Sequence, residues 1–182
     1  MLDTLDLDRL LLVVANDPWQ KSPSRSITPA EDRFAMAQAL AAEIPGADAS
    51  RMEIDRGGLS YTVATVEALR QEAAVSGEAP PAVYLVIGAD LVSDLGTWER
   101  AGDLRDLVTL AVVSRPAVPG ATPLPSHSVP PGWRAEWVDG PLVDVSSSKV
   151  REALKRGAPV DEMVPPGVMR CIRRRNLYAV DR

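Results

Sequence analysis

The sequence predicts an α/β fold: a parallel sheet with helices on both faces. Two observations carry that prediction. Short β-branched runs alternate with helix-like segments along the chain, and several of the runs are continuously apolar. Strands joined by helices pair in parallel, and a strand covered on both faces has no solvent side to make polar.

The first run, "RLLLVVA" at 9–15, is followed by "TPAEDRFAMAQALAAEI" at 28–44. There Thr28 is placed to cap a helix, Pro29 fits its first position and Glu31 completes a capping box. "RMEID" at 51–55 is expected to be the second strand. In "YTVATVEALRQEAA" at 61–74, Val63, Val66 and Leu69 recur at helical spacing until "SGEAPP" breaks the pattern. The later strands are expected at 82–88, 107–114 and 134–139, with a helix at 96–107 and two more at 147–156 and 166–175. The Pro-rich stretch 114–132 reads as a long loop.

At 182 residues the chain fits one domain, since a domain takes roughly 100–200 residues. With 46% hydrophobic and 25% charged residues it has an ordinary globular balance, which predicts neither disorder nor a membrane protein. Its longest apolar run, at 10–15, is too short to cross a bilayer, and the acidic start "MLDTLDLDR" predicts no export signal. The single cysteine, Cys171, allows no internal disulfide or Cys-rich metal site and is compatible with a reducing cytoplasm. A net charge of −5 leans away from nucleic acid, toward small polar ligands or other proteins.

Ligands of open parallel sheets sit beyond the carboxyl ends of the strands. The residues that follow the runs suit an anionic, ring-bearing ligand. Gly57, Gly58 and Gly88 let backbone come close, Asp90 can accept from sugar hydroxyls, and Trp19, Tyr61 and Trp98 can stack on rings. In "DVSSSKVREAL" at 144–154, a helix beginning near Ser147 has unpaired N–H groups and a partial positive charge at its start, which attract phosphate. Lys149 and Arg151 add full charges where cations are disfavoured unless an anion compensates. The alternative is a plain N-cap at Ser146 or Ser147 with Lys149 and Arg151 solvated.

"DVSSSKVREAL" resembles the ISSTxxR signature of nucleotidyltransferases that adenylylate mononucleotides. "DPWQK", "TPAEDRFAM", "EIDRGGLSYTVATVEAL", "YLVIGADLVSDLGTWE" and "LAVVSRP" follow in matching order, and across nearly its whole length the chain is similar to bacterial nicotinate-nucleotide adenylyltransferases. The resemblance implies a Rossmann-like nucleotidyltransferase domain over 1–182. It also implies transfer of AMP from ATP to nicotinate mononucleotide, with magnesium, in the cytoplasmic synthesis of NAD. Ser147, Ser148 and Arg151 then fall at the ATP phosphates, and Gly88 and Asp90 match a GxD that holds ribose hydroxyls. Tyr61, Thr62 and Trp98 match positions that hold the nicotinate ring and carboxylate. Trp19 and Lys21 fall in the loop that closes over the mononucleotide, with Lys21 facing its phosphate. Three alternatives stay open: a non-catalytic nucleotide-binding remnant, adenylylation of a related acceptor such as nicotinamide mononucleotide or phosphopantetheine, and a fragment that does not fold.

Members of that family begin with a strand and a GGTFDPxHxGH motif whose histidines contact the ATP phosphates. This chain shows neither, and its only histidine, His127, stands in the Pro-rich loop, where solvation is expected. The expectation is an N-terminally truncated domain missing its first strand, with the real start upstream of Met1 and no catalytic residue assigned. A sheet that loses an interior strand separates or exposes two unpaired edges. The basic run 170–176 is expected to serve a helix C-terminus, Cys171 to be buried, and Trp133 and Trp137 to pack as strand residues.

Overall fold

The computed structural model describes residues 2–18, 27–114, 129–139 and 145–178. It divides into two compact units, one of Met1–Ser60 with Val143–Arg182 and one of Tyr61–Leu142. Among the described residues, five strands form two parallel sheets flanked by helices.

In the first unit β1 (Leu10–Val13) pairs in parallel with β2 (Ala47–Ser50), Leu10 opposite Ala47 and Val13 opposite Ser50. Between them runs α1 (Ala30–Ala41), rich in strong helix formers and with Glu31 and Asp32 at its positive end. α1 packs on α6 (Pro166–Arg174), and Gly167 lets the two approach closely. A Cβ on Gly167 would stand 3.1 Å from the Ala39 carbonyl oxygen and would run into the Glu43 carboxylate. Gly167 N donates to Glu43 Oε1 at 2.5 Å, so the chain supplies its own anion at the start of α6. Between α5 (Ser147–Lys155) and α6, the side chains of Ala153, Val160, Val164, Met169 and Ile172 form a core. Cys171 is buried, as expected.

Two elements of this unit differ from expectation. α1 starts at Ala30 with Pro29 at its N-cap and no side-chain cap, because the Thr28 hydroxyl hydrogen-bonds to that of Tyr178 at 3.0 Å. The second strand lies at Ala47–Ser50, and "RMEID" instead opens the short helix α2 (Met52–Arg56). Gly46, at φ 76°, turns the chain straight into β2, whose four residues exhaust the pairing with β1. Arg51 and Asp55 then meet at 2.8 Å, an i,i+4 pair that a helix brings together and a strand cannot.

In the second unit β3 (Val83–Gly88), β4 (Val108–Ser114) and β5 (Ala135–Asp139) pair in that order, all parallel. β4 is central and covered on both faces: Leu110, Ala111 and Val112 are each 0% exposed, which is why its sequence shows no alternation. Val63 and Val66 of α3 (Thr62–Val75) and Leu104 of α4 (Ala101–Leu107) pack against it. Trp133 and Trp137 both pack against this cluster, Trp137 from β5 as expected, but Trp133 from the turn before it, outside any strand. The helix expected at 96–107 is two pieces, a 3₁₀ helix at Ala89–Thr97 and then α4. Arg100 breaks them apart at φ 49°, held by Glu67 and Asp103 at 2.6 and 2.7 Å. Among the described residues, β1 and β3 each pair on one side only.

Candidate active site

The start of α5 is built by its serines. Ser146, in extended conformation, is the N-cap, and its Oγ accepts from Lys149 N at 3.2 Å. Ser147 and Ser148 are then the first helical residues, exposed, with N–H groups ahead of the intrahelical ladder. Arg151 is half-buried, and its Nη2 donates to Ser148 Oγ at 3.3 Å. The first turn contains no acidic residue. The Arg151 guanidinium and the positive helix end therefore stand together, an arrangement that an anion would relieve. The opposite face, through Val150, Ala153 and Leu154, packs on the α6 cluster, which sets the helix's rotation.

In the second unit β3 ends at Gly88 and the 3₁₀ helix begins at Ala89. The exposed Asp90 carboxylate folds back over Gly88, so that a Cβ on Gly88 would collide with Asp90 Oδ1. Side chains three apart eclipse in a 3₁₀ helix. Ala89, Val92 and Leu95 therefore point inward, and Trp98 follows on the same register, while Asp90 is left facing solvent. The Trp98 ring is half-buried against this core, and its Nε1 has no hydrogen-bond partner among the described residues. Tyr61 also packs on that core as the N-cap residue of α3, accepting through its carbonyl from Thr65 N at 3.3 Å. Thr62 is the first residue of α3, and neither a side-chain cap nor an acidic residue stands at that helix start.

Trp19, Lys21 and His127 lie outside the described residues. The chain leading to the first two is tied to the Gly57–Gly58 turn, whose glycines stand at φ 72° and 68°. Asn16 N donates to Ser60 Oγ at 2.9 Å, Asn16 Nδ2 donates to the Gly58 carbonyl at 3.0 Å, and Asp17 bridges Leu59. Neither Asn16 nor Ser60 was singled out from sequence, and no local pattern marks them, because their pairing joins residues 44 apart. In the first unit the structure brings together Ser147, Ser148 and Arg151, and in the second Gly88 with Asp90, and Tyr61 with Trp98 on one core.

Residues 1–153 match a cytidylyltransferase-like family model. A probable nicotinate-nucleotide adenylyltransferase of Acidothermus cellulolyticus is 34% identical over 172 residues, covering 94% of this chain and 80% of that protein. The protein of the same name from Streptomyces coelicolor is 37% identical, covering 94% of this chain and 86% of its own. The chain belongs to the nicotinate-nucleotide adenylyltransferase family. Among solved structures, the fold of this adenylyltransferase superposes on a Plasmodium falciparum nicotinic acid mononucleotide adenylyltransferase with TM-score 0.66. That match, at 14% identity, covers 94% of this chain and 83% of the other, and complexes with APC and with NaAD match equally. Across the adenylyltransferase, then, the described candidate residues are divided between two units: Ser147, Ser148 and Arg151 in the first, and Tyr61, Thr62, Gly88, Asp90 and Trp98 in the second.

Proposed function

We propose that this protein transfers AMP from ATP to nicotinate mononucleotide, giving nicotinic acid adenine dinucleotide and pyrophosphate in the synthesis of NAD. The observation that carries this reading is that relatives named for this acceptor, 34% and 37% identical, match 94% of the chain and run through both units. A phosphate oxygen of the mononucleotide attacks the α-phosphorus of ATP. The bond from that phosphorus to the bridging oxygen breaks, and pyrophosphate leaves. The attacking oxygen is already ionised, so the protein's part is positioning and charge stabilisation.

Ser147, Ser148 and Arg151 hold the ATP phosphates, through the N–H groups at the helix start and the guanidinium. Asp90, turned to solvent over Gly88, accepts from ribose hydroxyls. Trp98 and Tyr61 offer ring faces to nicotinate, and Thr62 N at the positive start of α3 suits its carboxylate. A helix start presents donors only, which favours the acid over the amide. Trp19 and Lys21 serve the mononucleotide, Lys21 at its phosphate.

Magnesium fits as part of the substrate. Among the described residues no three His, Cys, Asp or Glu side chains stand together, and magnesium commonly binds through substrate phosphates with one or two carboxylates. When bound it neutralises charge on the phosphates. No described helix is long and apolar enough to cross a membrane, and we place the reaction in the cytoplasm.

The test is competition between acceptors. With ATP and magnesium, kcat/KM for nicotinate mononucleotide should exceed that for nicotinamide mononucleotide and phosphopantetheine by at least about tenfold, the worth of one well-placed charge-assisted contact. Preference for the amide would reassign the acceptor, and tight ATP binding without pyrophosphate release would mark a non-catalytic binding module.

A further inference from the structure

The turn that follows Trp98 carries a residue that its backbone alone would not select. Ala101 N closes the turn by donating to the Trp98 carbonyl at 3.2 Å, and Arg100 stands third in it, at φ 49°. Glycine or asparagine is the usual occupant of such a left-handed position, and a longer residue is strained there unless its surroundings hold it. Here the side chain does the holding. Arg100 Nη1 and Nη2 donate to the two carboxylate oxygens of Glu67 at 3.0 and 2.6 Å, and Nε donates to Asp103 Oδ2 at 2.7 Å. Exposed ion pairs usually contribute little, but a bidentate fork that also engages a second carboxylate has the geometry that does contribute.

Glu67 lies on α3, one turn after the buried Val63, and Asp103 lies on α4, whose N-cap is Arg100 itself. The fork therefore ties the turn after the 3₁₀ helix to the first two turns of α3. Trp98 stands at one end of that tie and Tyr61 and Thr62 near the other, with Trp98 and Tyr61 packed on one core.

We propose that Arg100 is a positioning residue for the nicotinate end of the site. By tying the turn after Trp98 to Glu67, it sets the Trp98 ring relative to the start of α3, and with it the affinity for nicotinate mononucleotide. Holding the ring in place beforehand reduces the ordering that binding must impose. The effect on affinity rests on the proposed function; the placement of the ring does not.

The test compares the whole protein with its Arg100→Gly and Arg100→Lys variants. Glycine suits the turn's backbone and removes the fork, while lysine keeps the charge without the bidentate geometry. Solvent exchange of the Trp98 indole proton reads the ring's placement without ligand, since Nε1 is buried; the resonance is identified by its loss in Trp98→Phe. In both variants that exchange should quicken about tenfold, the Trp133 and Trp137 indoles should be unchanged, and melting should stay cooperative. The calorimetric Kd for nicotinate mononucleotide should rise by a similar factor, and that for ATP should stay within about twofold. In the Trp98→Ala background, Arg100→Gly should weaken mononucleotide binding much less, a non-additivity that an independent structural role would not produce.

Unchanged exchange of the Trp98 indole overturns the proposal, as does wild-type mononucleotide affinity in the variants. Equal losses for ATP and the mononucleotide, or loss of cooperative melting in both variants, also overturn it, by making Arg100 a requirement of the fold at large. Faster Trp98 exchange in the variants of a protein that never binds the mononucleotide would keep the placement of the ring and reject the substrate.

Discussion

Arg151 Nη2 donates to Ser148 Oγ at 3.3 Å, so the guanidinium is held beside the first turn of α5. The contact keeps a full positive charge at the end of the helix that is already positive. Replacing Arg151 with alanine should raise KM for ATP about tenfold, since a hydrogen bond to a charged group contributes about 1.5–3 kcal/mol. KM for the mononucleotide should stay within about twofold, and Tm within a few degrees. Steady-state kinetics in both substrates check this, and unchanged ATP kinetics would remove Arg151 from the phosphate site.

Gly88 and Asp90 form a coupled pair, because the carboxylate occupies the space a Gly88 side chain would need. The Gly88→Ala variant has an ordinary backbone to accept, at φ −72°, and should fold. Its methyl should displace the Asp90 carboxylate and weaken ATP binding about as much as Asp90→Ala does. The double variant should then be little worse than either single one. Calorimetric ATP titration of the three proteins measures this, and simple additivity would show that Gly88 acts independently of Asp90.

Where α1 meets α6, Gly167→Ala should destabilise the protein by about 1–3 kcal/mol, the usual cost of forcing an extra methyl into a packed contact. Glu43→Ala should cost about 1 kcal/mol for the lost cap on Gly167 N. With the Glu43 carboxylate removed, Gly167→Ala should cost less than it does alone, though the Ala39 carbonyl at 3.1 Å still resists the methyl. Urea titrations of the four proteins give these differences, and an unaltered midpoint for Gly167→Ala would mean the helices separate freely.

Trp98 should separate into two effects. Trp98→Phe loses no internal hydrogen bond, since Nε1 has no partner among the described residues, and should melt near wild type. Trp98→Ala should lose about 2–3 kcal/mol of stability, less than a fully buried ring because Trp98 is half-buried. Both should raise KM for nicotinate mononucleotide more than KM for ATP, the alanine variant most. A defect confined to ATP would show the two substrates exchanged.

The strands of the second unit were legible to within a residue because continuous apolar runs of that length have few alternatives. "RMEID" misled because Met52 and Ile54 alternate like strand residues while Arg51 and Asp55 suit a helix. The strand actually used, "ADAS", has little β signal of its own and is set by pairing with β1. The 3₁₀ helix hid for a different reason: Ala89, Val92, Leu95 and Trp98 recur every three residues, between the strand and α-helix periods.

The juxtaposition of Ser147, Ser148 and Arg151 at a helix start could be read directly from their spacing. The bond between Asn16 and Ser60 could not, because it joins residues 44 apart. Thr28 looked like a cap for the same reason: its rival, Tyr178, stands 150 residues away.

The central claim is adenylyl transfer to the acid mononucleotide. Its most direct measurement is mass-spectrometric detection of products after the purified protein is incubated with ATP, nicotinate mononucleotide and magnesium. Nicotinic acid adenine dinucleotide and pyrophosphate accumulating in equal amounts, and only when both substrates are present, is the predicted result. Substrates recovered intact under conditions where both bind, or ATP cleaved without AMP appearing on the mononucleotide, would contradict it.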